Sequence, residues 1–175
     1  FTGSTEVGRK IRQITAGKGK KVTLELGGKS PFIIFDDSDI DSAIEGLVDA
    51  IWLNQGEVCC AGSRLLVQES IADIVQKKIK ERIKKLRVGN PLDKSVDMGA
   101  IINESQLGQI SKMVENSRGE GASIFQPKIN CNEKGCFYPP TLITDVEPSM
   151  EIVREEIFGP VLVMLTFRTP NEAVE

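Results

Sequence analysis

Two short stretches of this 175-residue chain carry side chains that could do chemistry. In the first, Glu25 lies in an apolar segment directly before Gly27 and Gly28. A carboxylate that is partly withdrawn from water has a raised pKa, which suits a general base near neutral pH. A purely structural interpretation is a glutamate at a strand end that pairs with a lysine such as Lys29. From these residues alone, both interpretations of Glu25 stay open.

The second stretch holds Cys59, which is flanked by small residues between a predicted helix and a predicted strand. A free cysteine is most often a small buried hydrophobic residue, and that interpretation stays open here. To act as a nucleophile, its thiolate would need backbone N–H donors, a helix terminus or a cationic cofactor nearby. Cys59 is therefore a candidate nucleophile with Glu25 as a candidate base.

The composition restricts the chemistry, because the chain has no histidine. Serine–histidine–aspartate and cysteine–histidine catalytic sites are thereby excluded within this chain, as are metal sites that contain histidine. A catalytic base here must be a carboxylate, lysine, tyrosine, water or a cofactor. The net charge of −3 gives no long-range attraction to nucleic acid or to an anionic membrane, and we expect neither as a partner.

The cysteines indicate a reducing compartment. Adjacent Cys59 and Cys60 are poor partners for a disulfide, whose geometry is specific. Cys131 and Cys136 form a Cys-x4-Cys pair, which could suggest a metal or redox sensor but offers too few ligands for structural zinc. No signal peptide and no apolar run of about 18 residues is visible. We therefore expect reduced thiols, no metal site and a cytoplasmic location.

Hydrophobic periodicity predicts the elements that must position these side chains. Helical spacing marks residues 4–16, with Ser4 or Thr5 as the cap, and residues 43–51, 70–86 and 104–117. In the third helix the inward residues are predicted as Ile71, Ile74, Val75, Ile79, Ile83 and Leu86. Strands are predicted at 22–26, 31–35, 65–68, 122–125, 138–144 and 161–167, and the apolar run at 31–35 indicates burial on both faces.

Helices that alternate with buried strands predict an α/β fold with three layers, αβα, around a mostly parallel sheet. The acidic run at 36–41 is interpreted as a helix start rather than a metal site. The lysine-rich face of residues 70–86 is interpreted as solvated surface, because no aromatic residues interleave with it.

Four motifs in order carry a family resemblance. They are FTGSTEVG at 1–8, LELGGKSP at 24–31, NQGEVCCAGSR at 54–64 and EEIFGPV at 155–161. With them the chain resembles the NAD(P)-dependent aldehyde dehydrogenase superfamily. The resemblance implies that Cys59 is the nucleophile and Glu25 the general base. It implies that the residues binding NAD or NADP are Gly3, Ser4, Leu26, Gly27, Glu156 and Phe158.

The resemblance also implies a division of the chain. Residues 1–26 match the C-terminal tail of the Rossmann-like cofactor domain, and residues 27–175 match most of the catalytic domain. The family protein is longer, acts on a small-molecule aldehyde and forms a homodimer or homotetramer, so we expect the fragment alone to be inactive. The alternative is a noncatalytic scaffold or subunit of the same fold. The presence of both Cys59 and Glu25 argues against that alternative.

Two positions depart from the family pattern. Trp52 stands where members more often have phenylalanine or tyrosine, and we expect it near the aldehyde tunnel, where it would shift substrate preference. Gln109 stands where many members carry a lysine near the nicotinamide ribose. Gln106, on the same predicted helix, is the residue that could serve that contact instead.

Overall fold

The computed structural model describes residues 1–129 and 135–174. Within them the strands are β1 (Thr2–Gly3), β2 (Glu25–Leu26), β3 (Pro31–Ile34), β4 (Arg64–Gln68), β5 (Ser123–Phe125), β6 (Thr141–Thr144) and β7 (Val161–Phe167). The α-helices are α1 (Thr5–Thr15), α2 (Ile40–Trp52), α3 (Ala72–Ile83), α4 (Glu104–Gly119), α5 (Glu151–Arg154) and α6 (Pro170–Val174). Short 3₁₀ helices lie at Leu53–Gly56 and Glu69–Ile71.

The larger sheet of the described residues has the strand order β3-β4-β7-β6-β5. Its first four strands run parallel, and β5 pairs antiparallel with β6. Strands β1 and β2 form a separate parallel pair. The predicted α/β fold with a mostly parallel sheet is confirmed.

Alternate residues of β7 pack into two different hydrophobic clusters. Leu162 and Met164 join one cluster with residues of α2 and α3, while Val161 and Val163 join another with residues of α4 and α5. Because successive strand residues point to opposite faces of a sheet, helices cover both faces of β7. The predicted three-layer arrangement follows from this alternation.

Polar side chains cap three of the helices. Ser4 Oγ accepts from Val7 N at 3.4 Å, Asp39 Oδ1 from Ser42 N at 3.1 Å, and Asn103 Oδ1 from Gln106 N at 2.9 Å. Each bond satisfies a backbone donor that lacks a partner in the first helical turn. The acidic run before α2 therefore contains the helix cap that its interpretation required.

Two details of the sequence prediction are wrong. β3 is an edge strand of the sheet, and Ile33 is 40% exposed, so the strand is not buried on both faces. Ile74 is 52% exposed rather than inward. The α-helix begins only at Ala72, after a 3₁₀ turn, and its buried face repeats at Val75, Ile79 and Ile83.

The described helices include none that is both long and apolar enough to cross a membrane. Cys131 lies outside the described residues, so the Cys-x4-Cys pair has no structural description. Across residues 1–129 and 135–174, no group of three or more His, Cys, Asp or Glu side chains is placed to hold a metal ion.

Candidate active site

A cleft of about 390 Å³ gathers the residues that the sequence singled out. Its volume lies within the range of small-molecule binding sites. It is lined by Thr2, Gly3, Ser4, Glu25, Leu26, Gly27, Cys59, Gln106, Gln109, Met113, Glu156, Ile157 and Phe158. All eight residues predicted for catalysis or cofactor binding are in this list, although they come from four separate motifs of the sequence.

Parallel pairing of β1 with β2 brings Glu25 beside the first motif. Thr2 pairs with Glu25 and Gly3 with Leu26, and Glu25 N donates to Phe1 O at 2.9 Å. The Glu25 residue is exposed, which contradicts the expectation that it is partly withdrawn from water. A short two-residue strand pair presents its side chains to the cleft without enclosing them.

Lys29 does not neutralise Glu25. Its Nζ is buried and makes no hydrogen bond to any described residue. Burial, followed by the neighbouring charge of Arg64, lowers the pKa of Lys29 to about 7, while the carboxylates of Glu156 and Glu155 act in the opposite direction. The structural interpretation in which Glu25 forms a pair with Lys29 is therefore wrong for this structure.

The nucleophile turn, residues 53–60, follows the end of α2 and contains Cys59. Its residues Asn54, Gln55 and Gly56 have φ of 51°, 59° and 72°. This is the left-handed region, which non-glycine residues seldom adopt. Cys59 and Cys60 are both exposed free thiols, but only Cys59 is among the described residues that line the cleft. The turn thus places one of two adjacent cysteines in the same cleft as Glu25 and Glu156.

The turn that carries Glu156 and Phe158 lies against the glycine motif. A Cβ added at Gly27 would overlap the Glu156 carboxylate, so this close approach requires glycine. Phe158 has a φ of 51°, and the Gln106 amide holds the turn by donating to Ile157 O at 3.0 Å and Phe158 O at 2.9 Å. Gln106, which could serve the ribose contact in place of Gln109, thus uses its Nε2 to bind two backbone carbonyls.

Helix α4 lines the cleft with Gln106, Gln109 and Met113, which recur at spacings of three and four residues. Residues so spaced share one helix face. Met113 was not singled out from the sequence, although its spacing from the two glutamines was a signal that could have found it. Thr2 and Ile157 were also missed, and they flank predicted residues in the chain.

Trp52 lies elsewhere. Its side chain is 2% exposed in the core cluster around α2 and α3, and its Nε1 donates to Pro160 O at 3.2 Å. It is not among the described residues that line the cleft. In this structure the indole packs the end of α2 against the sheet, and the expectation that Trp52 lies near an aldehyde tunnel stays a prediction.

Comparison with known proteins identifies the family and the fold. Residues 1–175 match the family model described as the aldehyde dehydrogenase family. This chain belongs to the aldehyde dehydrogenase family. The resemblance drawn from four motifs is thereby confirmed.

Relatives in the family match this chain along its whole length. It is 46% identical over 179 residues to an aldehyde dehydrogenase of Enchytraeus buchholzi, and 44% identical over 177 residues to aldehyde dehydrogenase, cytosolic 1, of Rattus norvegicus. Both alignments cover 100% of this chain and 35% of the relative. The chain therefore spans about a third of the length of these aldehyde dehydrogenases.

Solved structures of the family have the same fold over the matched region. Betaine aldehyde dehydrogenase from Staphylococcus aureus in complex with NAD+ matches with a TM-score of 0.95 and 39% identity, covering 99% of this chain and 35% of that one. A Bacillus cereus aldehyde dehydrogenase, solved as an E194S mutant, matches with a TM-score of 0.94 at 39% identity. The α/β fold of this chain is therefore that of the family's solved members.

Proposed function

We propose that the protein containing this chain oxidises aldehydes to carboxylic acids with NAD+ or NADP+. The observation that carries this proposal is the meeting of Cys59, Glu25 and Glu156 in one cleft. Membership of the aldehyde dehydrogenase family supports it, as does the S. aureus relative that was solved with NAD+. The noncatalytic alternative would leave a thiol, a carboxylate and a glycine-lined groove together without a use.

Several residues of the cleft are suited to binding part of NAD(P)+. Gly27 leaves room for the Glu156 carboxylate, which we assign to the ribose hydroxyls with Phe158 beside it. Ser4 lies at the N-terminus of the 11-residue helix α1, where backbone N–H groups favour a phosphate, and we assign Gly3 and Ser4 to that part of the cofactor. We assign Leu26 and Gly27 to the nicotinamide side. When bound, the oxidised nicotinamide supplies the acceptor for a hydride.

Cys59 performs the first half of the reaction. Its thiolate attacks the carbonyl carbon of the aldehyde, a carbon–sulfur bond forms, and the carbonyl electron pair moves to oxygen. Within the described residues the Cys59 N–H makes no backbone hydrogen bond, so we assign this group as a donor to the oxyanion. With NAD(P)+ bound, the nicotinamide would supply the acceptor for the hydride that this carbon loses as the oxygen reforms its double bond, and a thioester would remain on Cys59.

Glu25 performs the second half. Its carboxylate takes a proton from a water molecule, whose oxygen attacks the thioester carbon. The carbon–sulfur bond then breaks, which releases the carboxylic acid and returns the Cys59 thiolate. A carboxylate base suffices for this step, so the absence of histidine from the sequence is consistent with it.

The proposal extends to the whole protein. We assign residues 1–26 to the end of a cofactor-binding domain and residues 27–175 to a catalytic domain. Since 1–175 correspond to 35% of the relatives, we propose that this fragment alone is inactive. We further propose a homodimer or homotetramer in the cytoplasm, the compartment for which the rat relative, aldehyde dehydrogenase, cytosolic 1, is named.

The test is NAD(P)H formation by the full-length protein with a panel of aldehydes and both cofactors. We expect turnover by the wild type, none by Cys59→Ser, and turnover close to the wild type by the matched control Cys60→Ser. An active Cys59→Ser variant would show that another group is the nucleophile. A wild type that is inactive with every aldehyde would favour the scaffold alternative.

A further inference from the structure

The backbone before Cys59 adopts a conformation that needs support from outside the turn. Asn54, Gln55 and Gly56 are left-handed in succession, and two of these three residues carry a Cβ that disfavours this region. Such backbone persists only where surrounding contacts stabilise it. The contacts that hold this turn therefore decide where the Cys59 sulfur lies.

The Gln55 side chain supplies two of these contacts. Its Oε1 accepts from Gly99 N at 3.1 Å, and its Nε2 donates to Ala100 O at 3.3 Å. One amide thus binds consecutive backbone groups with both its acceptor and its donor, which fixes its orientation. A second side chain of the same turn, Glu57, accepts from Ile102 N at 3.1 Å. Together they attach the nucleophile turn to the backbone of residues 99–102.

The same turn touches the cofactor side of the cleft. A Cβ added at Gly56 would overlap Gly159 O, so the two backbones pack directly against each other. Gly159 follows Phe158 in the turn that carries Glu156. A movement of Gln55 would therefore change the position of Cys59 relative to Glu156 and Phe158.

We propose that Gln55 is a positioning residue. Through its two hydrogen bonds to Gly99 and Ala100 it holds Cys59 in a fixed position relative to Glu156 and Phe158. Gln55 is not among the described residues that line the cleft, so it acts through the turn and does not touch the reacting atoms. This inference rests on the proposed aldehyde oxidation.

The first arm of the test compares steady-state kinetics of Gln55 variants of the full-length protein. Gln55→Ala should lower kcat about tenfold or more and change the KM values for aldehyde and cofactor by less than about threefold, because the sulfur is misplaced while the binding groups remain. Gln55→Met, which keeps a side chain of similar length but forms neither hydrogen bond, should behave in the same way. Wild-type kcat in Gln55→Met would overturn the proposal.

The matched control is Gln126→Ala. Gln126 also makes two hydrogen bonds through Nε2, to Tyr138 Oη at 3.3 Å and Thr141 Oγ1 at 2.9 Å, and none of these three residues lines the cleft. This substitution should leave kcat within about threefold of the wild type, because the Cys59 turn is undisturbed. An equal loss of kcat in Gln126→Ala would mean that the effect at Gln55 is general destabilisation, and would overturn the proposal.

The second arm needs no turnover. Iodoacetamide labels Cys59 and Cys60, and fragmentation of the peptide that contains both gives their ratio. In the wild type the ratio should differ from one, since only Cys59 lines the cleft. In Gln55→Ala it should move toward one by about threefold or more as the turn opens locally. An unchanged ratio would overturn the positioning role even if the wild type oxidises aldehydes, whereas an inactive wild type would refute only the proposed function.

Discussion

The two halves of the cleft are built in different ways. In the half that carries Cys59, Gln55 and Glu57 of the nucleophile turn bind the backbone of residues 99–102, and Trp52, which directly precedes the turn, donates to Pro160 O. The half that carries Glu25 is a pair of two-residue strands with exposed side chains. The position of the Cys59 thiol is therefore determined by contacts within this chain, whereas the Glu25 carboxylate lies on an exposed strand pair.

Helix α1 belongs to the half that carries Glu25. Its residues Val7 and Ile14 are 41% and 65% exposed, although they lie at helical spacing with Ile11. The relatives are about three times as long as this chain, which agrees with our proposal that residues 1–26 end a cofactor domain. In that proposal the rest of the protein covers the exposed residues of α1 and of the β1–β2 pair. The turn that carries Cys59 is already held by contacts within this chain.

The largest effect that would test this comparison is expected from Glu25→Gln. The amide cannot take a proton from water, so steady-state turnover should fall by about 10²–10⁴-fold. Cys59 should still react once with the aldehyde. This gives a burst of NAD(P)H and leaves an acyl group on Cys59 that mass spectrometry detects. Unchanged steady-state turnover would show that Glu25 is not the base.

A second substitution tests the contact between Gly27 and Glu156. In Gly27→Ala the added Cβ overlaps the Glu156 carboxylate and must displace it, so KM for the cofactor should rise about tenfold or more. Gly28→Ala is the matched control, because an added Cβ there meets no described atom within 4 Å. Cofactor titrations of the two variants measure this difference, and equal KM values would contradict the close approach of Glu156 to Gly27.

An effect on stability rather than on catalysis is expected at Lys29, whose Nζ is buried. The pKa of Lys29 is lowered from 10.5 to about 7, chiefly by burial and then by Arg64. Between these values the unfolded chain binds more protons than the folded one, so the stability contributed at Lys29 rises with pH across that window. Below about pH 7 both states are charged at this residue and the folded protein carries the full cost.

Lys29→Met should therefore stabilise the protein most below about pH 7. Its advantage over the wild type should shrink by at most about 1.4 kcal/mol for each pH unit above that value. Urea unfolding at several pH values measures the change, with the same substitution at exposed Lys94 as the control. A stability difference at Lys29 that is independent of pH would mean that a partner neutralises the ammonium.

Local patterns predicted most of the fold. Helical spacing located the bodies of α1 and α4, and the apolar run at Val161–Phe167 is β7 with the same limits. The misjudged residues were Ile33 and Ile74, whose exposure depends on the order of strands and on a 3₁₀ turn. Neither property is encoded in the spacing of apolar residues, so no local pattern could have shown it.

The sequence by itself determined the family and the eight predicted residues that line the cleft, because motifs such as LELGGKSP and NQGEVCCAGSR keep their glycines, cysteine and glutamate together along the chain. The tertiary structure decided how those residues are held. Gln55 and Gly99 are 44 positions apart, and Gln106 and Phe158 are 52 apart. Only the packing of helices on the sheet brings such side chains to distant backbone groups, which is also why Trp52 lies in the core and the Lys29 Nζ atom is buried.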